Sequence, residues 1–230
     1  MFILLSAGIA PGLAFLSYLY LKDDYDKETA KNIFFAFIYG ALVTFPIMFI
    51  QSVLAYEGFT FSPLTDAFIY SALLEEFFKW FILFFLIVSM IKLQDSYDGI
   101  VMGASVSLGF ASAENFLYLL SNGIETAFGR ALFPVSSHAL IGIVMGYYIG
   151  KFASKQTNPK EIQFLFLSLF IPVFLHGSYD YLILTHLKDW PYYVLPFMFF
   201  LWWFALRKVK NAHQLMTVET LKSPYKIKEV

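Results

Sequence analysis

The sequence predicts an all-α, polytopic membrane protein with about seven transmembrane helices, and three observations carry that reading. Of 230 residues, 59% are hydrophobic, 20% aromatic and only 14% charged, and the mean hydropathy is +0.64, far from the averages of soluble domains. The apolar residues gather in stretches of roughly 20, the length a helix needs to cross the hydrocarbon core. The stretches are continuous, whereas strands of a membrane barrel alternate over about ten residues.

Seven spans follow in order: 1–21, 33–54, 67–91, 100–122, 134–153, 163–184 and 190–207. The first resembles a signal peptide in length. No Lys or Arg precedes its apolar run and no small-residue cleavage site closes it before Leu21-Lys22, so a retained span is expected. Thr65-Asp66 and Asp98-Gly99 precede the third and fourth spans as expected caps and turns. Gly123 to Phe133, closed by Pro134, is expected as a short helix lying on the outer surface. Trp190, Tyr192, Trp202 and Trp203 lie near span ends, where aromatic rings form interfacial belts. With short loops and no clear repeat, one domain is expected over 1–208, followed by a short, basic, loose tail over 209–230.

Charge and cysteine usage narrow the function. Sixteen basic against 17 acidic residues exclude a basic nucleic-acid binder and an acidic disordered tail. The absence of cysteine excludes a thiol nucleophile, a disulfide framework and Cys-ligated zinc. One side of the spans collects Lys22, Lys27, Lys31, Lys92, Lys151, Lys155, Lys160, Arg207, Lys208, Lys210, Lys222, Lys226 and Lys228; the other holds Arg130 and Lys188. Because cytoplasmic loops carry the Lys/Arg excess, the N-terminus is expected outside and the C-terminus in the cytoplasm.

The sixteenth basic residue, Lys79, lies within a span, as do Glu75, Glu76, Glu114, His138, His176 and Asp180. A charge at the bilayer centre costs about 2.5–3.5 kcal/mol on insertion scales, so such residues are candidates for function. Lys79 is three and four residues from Glu76 and Glu75, within reach of either along a helix. The adjacent glutamates point about 100° apart, which suggests different tasks. An ion pair that merely makes two charges tolerable is the simpler reading, but buried pairs rarely improve stability. A desolvated glutamate serves well as a general base. Glu114 and Asn115 follow small residues that permit close helix approach, and His138 shares a face with Gly142 and Gly146. His176 and Asp180 are one turn apart, so the carboxylate can orient the imidazole. With spans three and five entering from outside and four and six returning, Glu75, Glu114 and His176 lie about eight residues deep, near 12 Å, and His138 about four. A polar cavity in the outer half is the expected result.

These motifs, Glu75-Glu76-x-x-Lys79, Phe110-x-x-x-Glu114-Asn115, His138-x-x-x-Gly142 and His176-x-x-x-Asp180, resemble those of the PrsW family of bacterial membrane proteases. The likeness extends to Tyr97-Asp98-Gly99-Ile100, Pro134-Val135-Ser136 and Leu201-Trp202-Trp203-Phe204. The family is similar in turn to the wider CAAX-protease and bacteriocin-processing superfamily. Here the basic partner, Lys79, comes one position before that superfamily's arginine, and Glu114 stands where it has histidine. The resemblance implies a site-1 protease for a single-pass membrane anti-sigma factor in a bacterial cell membrane, with no nucleic-acid partner.

The implied mechanism has Glu75 as the base activating a water and His176, held by Asp180, stabilising the tetrahedral intermediate, with Glu76, Glu114, Asn115 and His138 completing the cavity. No cofactor is expected on that route. Alternatively, His138, His176 and Glu75 could ligate Zn2+ with one open position, although no HExxH spacing is present. A proton-coupled transporter or a non-catalytic receptor or scaffold would also carry buried ionisable groups. No inverted repeat is apparent, however, and the polar groups do not continue toward the cytoplasmic half.

The orientation is open to a direct measurement in this cysteine-free chain. Cysteine placed at Glu57 or Asn122 should react with an impermeant thiol reagent in intact cells, and cysteine at Gln156 should not. Strong labelling at Gln156 would invert the topology.

Overall fold

The computed structural model describes residues 1–22, 27–89, 91, 93, 95–154 and 162–222. Its long helices are α1 (Phe2–Tyr20), α2 (Lys27–Tyr56), α4 (Leu74–Ser89), α5 (Ser96–Asn122), α7 (Ser136–Ser154), α8 (Ile162–Thr185) and α9 (Trp190–Lys222). Two short helices intervene, α3 (Pro63–Thr65) and α6 (Ala127–Arg130). No strand occurs among the described residues. Five of the helical stretches are long and apolar enough to cross a membrane by length and composition. The third expected span lies on one continuous helical run, in which a π-helical segment, Asp66–Leu73, feeds directly into α4; neither that run nor α9 is among the five.

α5 is the hub. It packs against α7, α2 and α1 and is buried almost continuously from Ser96 to Ser112. Its low bulk permits this. A Cβ on Gly146 of α7 would land on the carbonyl oxygen of Gly99, and one on Gly103 would lie 2.7 Å from the Gly146 Cα. Small residues thus bring α5 and α7 backbone to backbone, as membrane helices do where packing must replace a hydrophobic driving force. Polar side chains then stitch α5 to each neighbour. Ser107 Oγ donates to the His138 carbonyl (2.7 Å), Asn115 Nδ2 to the Gly8 carbonyl (3.1 Å) and Thr44 Oγ1 to the Phe110 carbonyl (3.4 Å).

Both helices that deliver the first ionisable residues begin in π-helical turns. Asp66–Leu73 precedes Glu75, and Ala131–Val135 precedes His138. In the second, Pro134 cannot donate a backbone hydrogen bond, which favours a widened turn.

Several expectations shift in register. The caps are Ser62, which accepts from Thr65 N, and Asp95, which accepts from Tyr97 N and Asp98 N. Both precede the Thr65-Asp66 and Asp98-Gly99 positions expected from turn chemistry, because the helices extend beyond their apolar runs. The segment after Gly123 is helical, in three short pieces, but rather than standing apart it runs directly into α7, so that Ile124–Ala153 is one continuous helical stretch. The tail expected to be loose from 209 is instead helical to Lys222. Leu201, Ala205, Val209 and Ala212 form one buried stripe at helical spacing, and Lys208 Nζ donates to Tyr148 Oη (2.9 Å). Tyr192 and Trp203 are exposed, whereas Trp190 and Trp202 pack on Phe133 and Phe15. Lys92, Lys155, Gln156, Lys160, Lys226 and Lys228 lie outside the described residues.

Gly146→Val should destabilise the fold by on the order of 1–3 kcal/mol, through overpacking at a backbone contact. Gly129→Val, where a Cβ would meet open space, should be nearly neutral. Unfolding titrations in mixed micelles check the pair; equal midpoints would show that the α5–α7 approach does not depend on glycine.

Candidate active site

The second residue of α4 begins the site. Glu75, Glu76 and Lys79 occupy the first turns of that helix, and all three are buried. Lys79 has no exposed surface, and its Nζ lies 2.6 Å from Glu76 Oε1 and 3.5 Å from Glu75 Oε2. It also donates to His138 Nδ1 at 3.3 Å and sits 4.2 Å over the Phe110 ring. One ammonium therefore joins α4, α5 and α7.

The two glutamates have different surroundings, in keeping with the angle between them. Glu76 is fully buried, and its Oε1 accepts from both Lys79 and His176 Nδ1, the latter at 2.8 Å. Glu75 is held more loosely. Its Oε2 is 3.9 Å from His176 Nε2, and its side chain keeps 12% of its surface exposed. Thus Glu76 holds the histidine more closely than Glu75 does.

His176 is also 3.5 Å, through Nε2, from Asp180 Oδ2, and Ser71 Oγ donates to that same oxygen at 2.5 Å. Asp180 was expected to be the residue that orients the imidazole; the shorter contact is with Glu76, from a different helix. The i,i+4 spacing that suggested Asp180 cannot register a partner 100 positions away. A small cavity of about 290 Å³ opens at Asp180, lined also by Ser71, Tyr70, Asp66 and Gln51. Ile183 and Leu184 complete its lining, and Asp180 joins it to His176.

His138 completes the centre. Its ring meets that of His176 edge to face at 5.1 Å, and its Nε2 is 3.1 Å from Glu114 Oε2. Glu114 is bound in turn by Arg130, with Nη2 to Oε1 at 2.9 Å, and Arg130 Nε donates to Asn115 Oδ1 at 2.9 Å. The residues singled out by sequence thus converge in one network. Asn115 stands at its margin, bonded to α1 and Arg130 rather than to the central groups. Ser71 and Arg130 were not singled out. Ser71 is an ordinary small polar residue in an apolar run, and Arg130 was legible only as one of two basic residues on its side of the membrane.

Glu75, Glu76, His138 and His176 offer ligand atoms that all lie within 4.8 Å of one another. Two imidazoles and two carboxylates match zinc by donor type. Glu76 Oε2, buried without a hydrogen-bond partner among the described residues, is a further available oxygen. The set therefore fits a zinc ion in its chemistry. In the structure Lys79 supplies the positive charge, touching three of those four residues.

A family model described as PrsW family intramembrane metalloprotease matches residues 28–205 of this chain. The chain is 54% identical over 212 residues to a Protease PrsW of Geobacillus kaustophilus, covering 92% of this chain and 93% of that protein. It is 53% identical over 215 residues to the Protease PrsW of Bacillus subtilis, covering 94% and 98%. At greater distance, the Protease PrsW of Clostridioides difficile is 26% identical over 212 residues, covering 89% of each. No solved structure matches the chain.

Lys79→Met should cost roughly 3–5 kcal/mol of stability, since it leaves two buried carboxylates without their cation. Adding Glu76→Leu should recover part of that loss, because an apolar pair is tolerated better than half of an ionic one. Denaturation of the single and double variants measures it. No recovery in the double variant would contradict the central place given to this pair.

Proposed function

Since the chain belongs to the PrsW family of intramembrane proteases, we propose that it is an endopeptidase making the first cut in a membrane-anchored anti-sigma factor of a bacterial cell. The observation that carries the catalytic assignment is the 3.9 Å approach of Glu75, the less tightly held of the two buried glutamates, to a His176 anchored by Glu76.

In this reading Glu75 takes a proton from water, and the resulting hydroxide attacks the scissile carbonyl carbon. Charge develops on the carbonyl oxygen as the tetrahedral intermediate forms. His176 has carboxylates facing both ring nitrogens, so it is held ready to donate from Nε2 to that oxygen. The proton held by Glu75 then passes to the leaving amine as the C–N bond breaks. Glu76 keeps His176 in place, and Lys79 keeps Glu76 in place. Fixing these groups before substrate arrives removes reorganisation from the chemical step.

The donor set and the family description together favour a second reading. With zinc held by His138, His176 and Glu75, the metal would supply Lewis acidity toward the water and the carbonyl. In that case Lys79 would have to leave its place among the same residues.

With the N-terminus outside, the centre lies in the outer half of the bundle. The scissile bond would then be in the substrate's external juxtamembrane segment or first outer turn. A helical bond there has its carbonyl engaged, so the substrate must fray, and Pro or Gly nearby should raise the rate. The 123–133 segment and the opening at Asp180 flank the site as candidate points of entry.

Glu75→Gln should abolish cleavage of a membrane-tethered substrate while leaving protein level and insertion intact, because it removes proton acceptance and little else. Protein stripped by a strong chelator and metal-free by elemental analysis should retain activity. Activity lost on stripping and restored by zinc would establish the second reading instead.

A further inference from the structure

Arg130 lies on α6, outside the central cluster, and its side chain is only 13% exposed. We infer that Arg130 is a positioning residue that, through Glu114, fixes the ring orientation and proton placement of His138. Its Nη2 donates to Glu114 Oε1 and its Nε to Asn115 Oδ1, both at 2.9 Å, while the guanidinium lies 4.0 Å over the Tyr118 ring. Asn115 Nδ2 is committed to the Gly8 carbonyl, so its oxygen is the atom left to accept from Arg130. The guanidinium is thus gripped on two edges and one face, a fork geometry that lysine cannot reproduce.

The consequence runs through Glu114 to the histidine. Glu114 Oε2, the oxygen not used by Arg130 Nη2, is 3.1 Å from His138 Nε2. Across the ring, Lys79 Nζ is 3.3 Å from Nδ1. An ammonium has only hydrogens to offer, so Nδ1 must be the accepting nitrogen and Nε2 must carry the hydrogen given to Glu114. The opposite placement would set an N–H against the Lys79 ammonium and displace it from Glu75 and Glu76. Arg130 holds the Glu114 carboxylate where it favours the compatible arrangement. It thereby ties α6 to the proposed catalytic centre.

The kinetic arm of the test rests on the peptidase reading; the spectroscopic arm does not. Full-length protein labelled with 15N at its four histidines, in lipid nanodiscs, reports the ring nitrogens, and a His138→Ala spectrum assigns the signal. Wild type should show His138 with hydrogen on Nε2 and a bare Nδ1. Arg130→Gln should shift that signal toward a mixture and lower kcat on a membrane-tethered peptide by roughly 10- to 100-fold, the range seen when groups orienting a functional histidine are removed. KM should stay within about two-fold. Arg130→Lys, which keeps the charge but not the fork, should recover part of both effects, and it carries the comparison if Arg130→Gln does not fold. An unchanged His138 signal in both variants would overturn the proposal, whether or not kcat falls. If wild type cuts no substrate the peptidase reading fails, and the His138 signal still decides the role of Arg130.

Discussion

A lysine with no exposed surface, inside a bundle built to face lipid, imposes the constraint on which the rest of this structure depends. The ammonium of Lys79 must be met by acceptors drawn from several helices at once, because no single helix can surround it. Glu75 and Glu76 come from its own helix, His138 Nδ1 from α7, and the face of Phe110 from α5. Each of those groups would itself be costly in hydrocarbon if left alone. Burial of the cation and assembly of the site are therefore one event, and a chain that could not bring α4, α5 and α7 together would have to leave Lys79 at the interface.

The approach of these helices rests on an economy of side-chain volume around α5. Gly99, Gly103, Gly142 and Gly146 place α7 against α5, and Gly40 and Gly109 do the same between α2 and α5. The close contact sets where His138 stands relative to α4. Ser107 fixes the backbone at that very residue by donating to its carbonyl. The π-helical turns before Glu75 and His138 adjust where each following helix points its first residues, a use to which widened turns are often put. Packing thus determines which ionisable groups meet.

Much of this was legible in the sequence, and the remainder was not for identifiable reasons. Long apolar runs revealed seven long helices, and ionisable residues inside those runs revealed the site, because lipid tolerates neither short elements nor idle charges. Contacts at helical spacing were also readable: Glu75 and Glu76 with Lys79, and Asp180 with His176. The contact between Glu76 and His176 was not, because it joins α4 to α8 and leaves no mark on local periodicity. Arg130 was hidden for the same reason, since its contact with Glu114 joins α6 to α5. The continuation of α9 past Arg207 escaped notice because charged residues interrupt the apolar run, although Val209 and Ala212 keep the buried stripe of Leu201 and Ala205 in phase.

In the proposed mechanism Glu75 and His176 flank the reacting carbonyl while Lys79 stays with Glu76. An experimental structure of the chain with a phosphinate analogue of a hydrated peptide bond tests it most directly. The phosphinate oxygens should lie within hydrogen-bond distance of Glu75 and His176 Nε2, with Lys79 Nζ still against Glu76. A metal ion seated among His138, His176 and Glu75 with Lys79 displaced, or an analogue lodged away from α4 and α8, would contradict it.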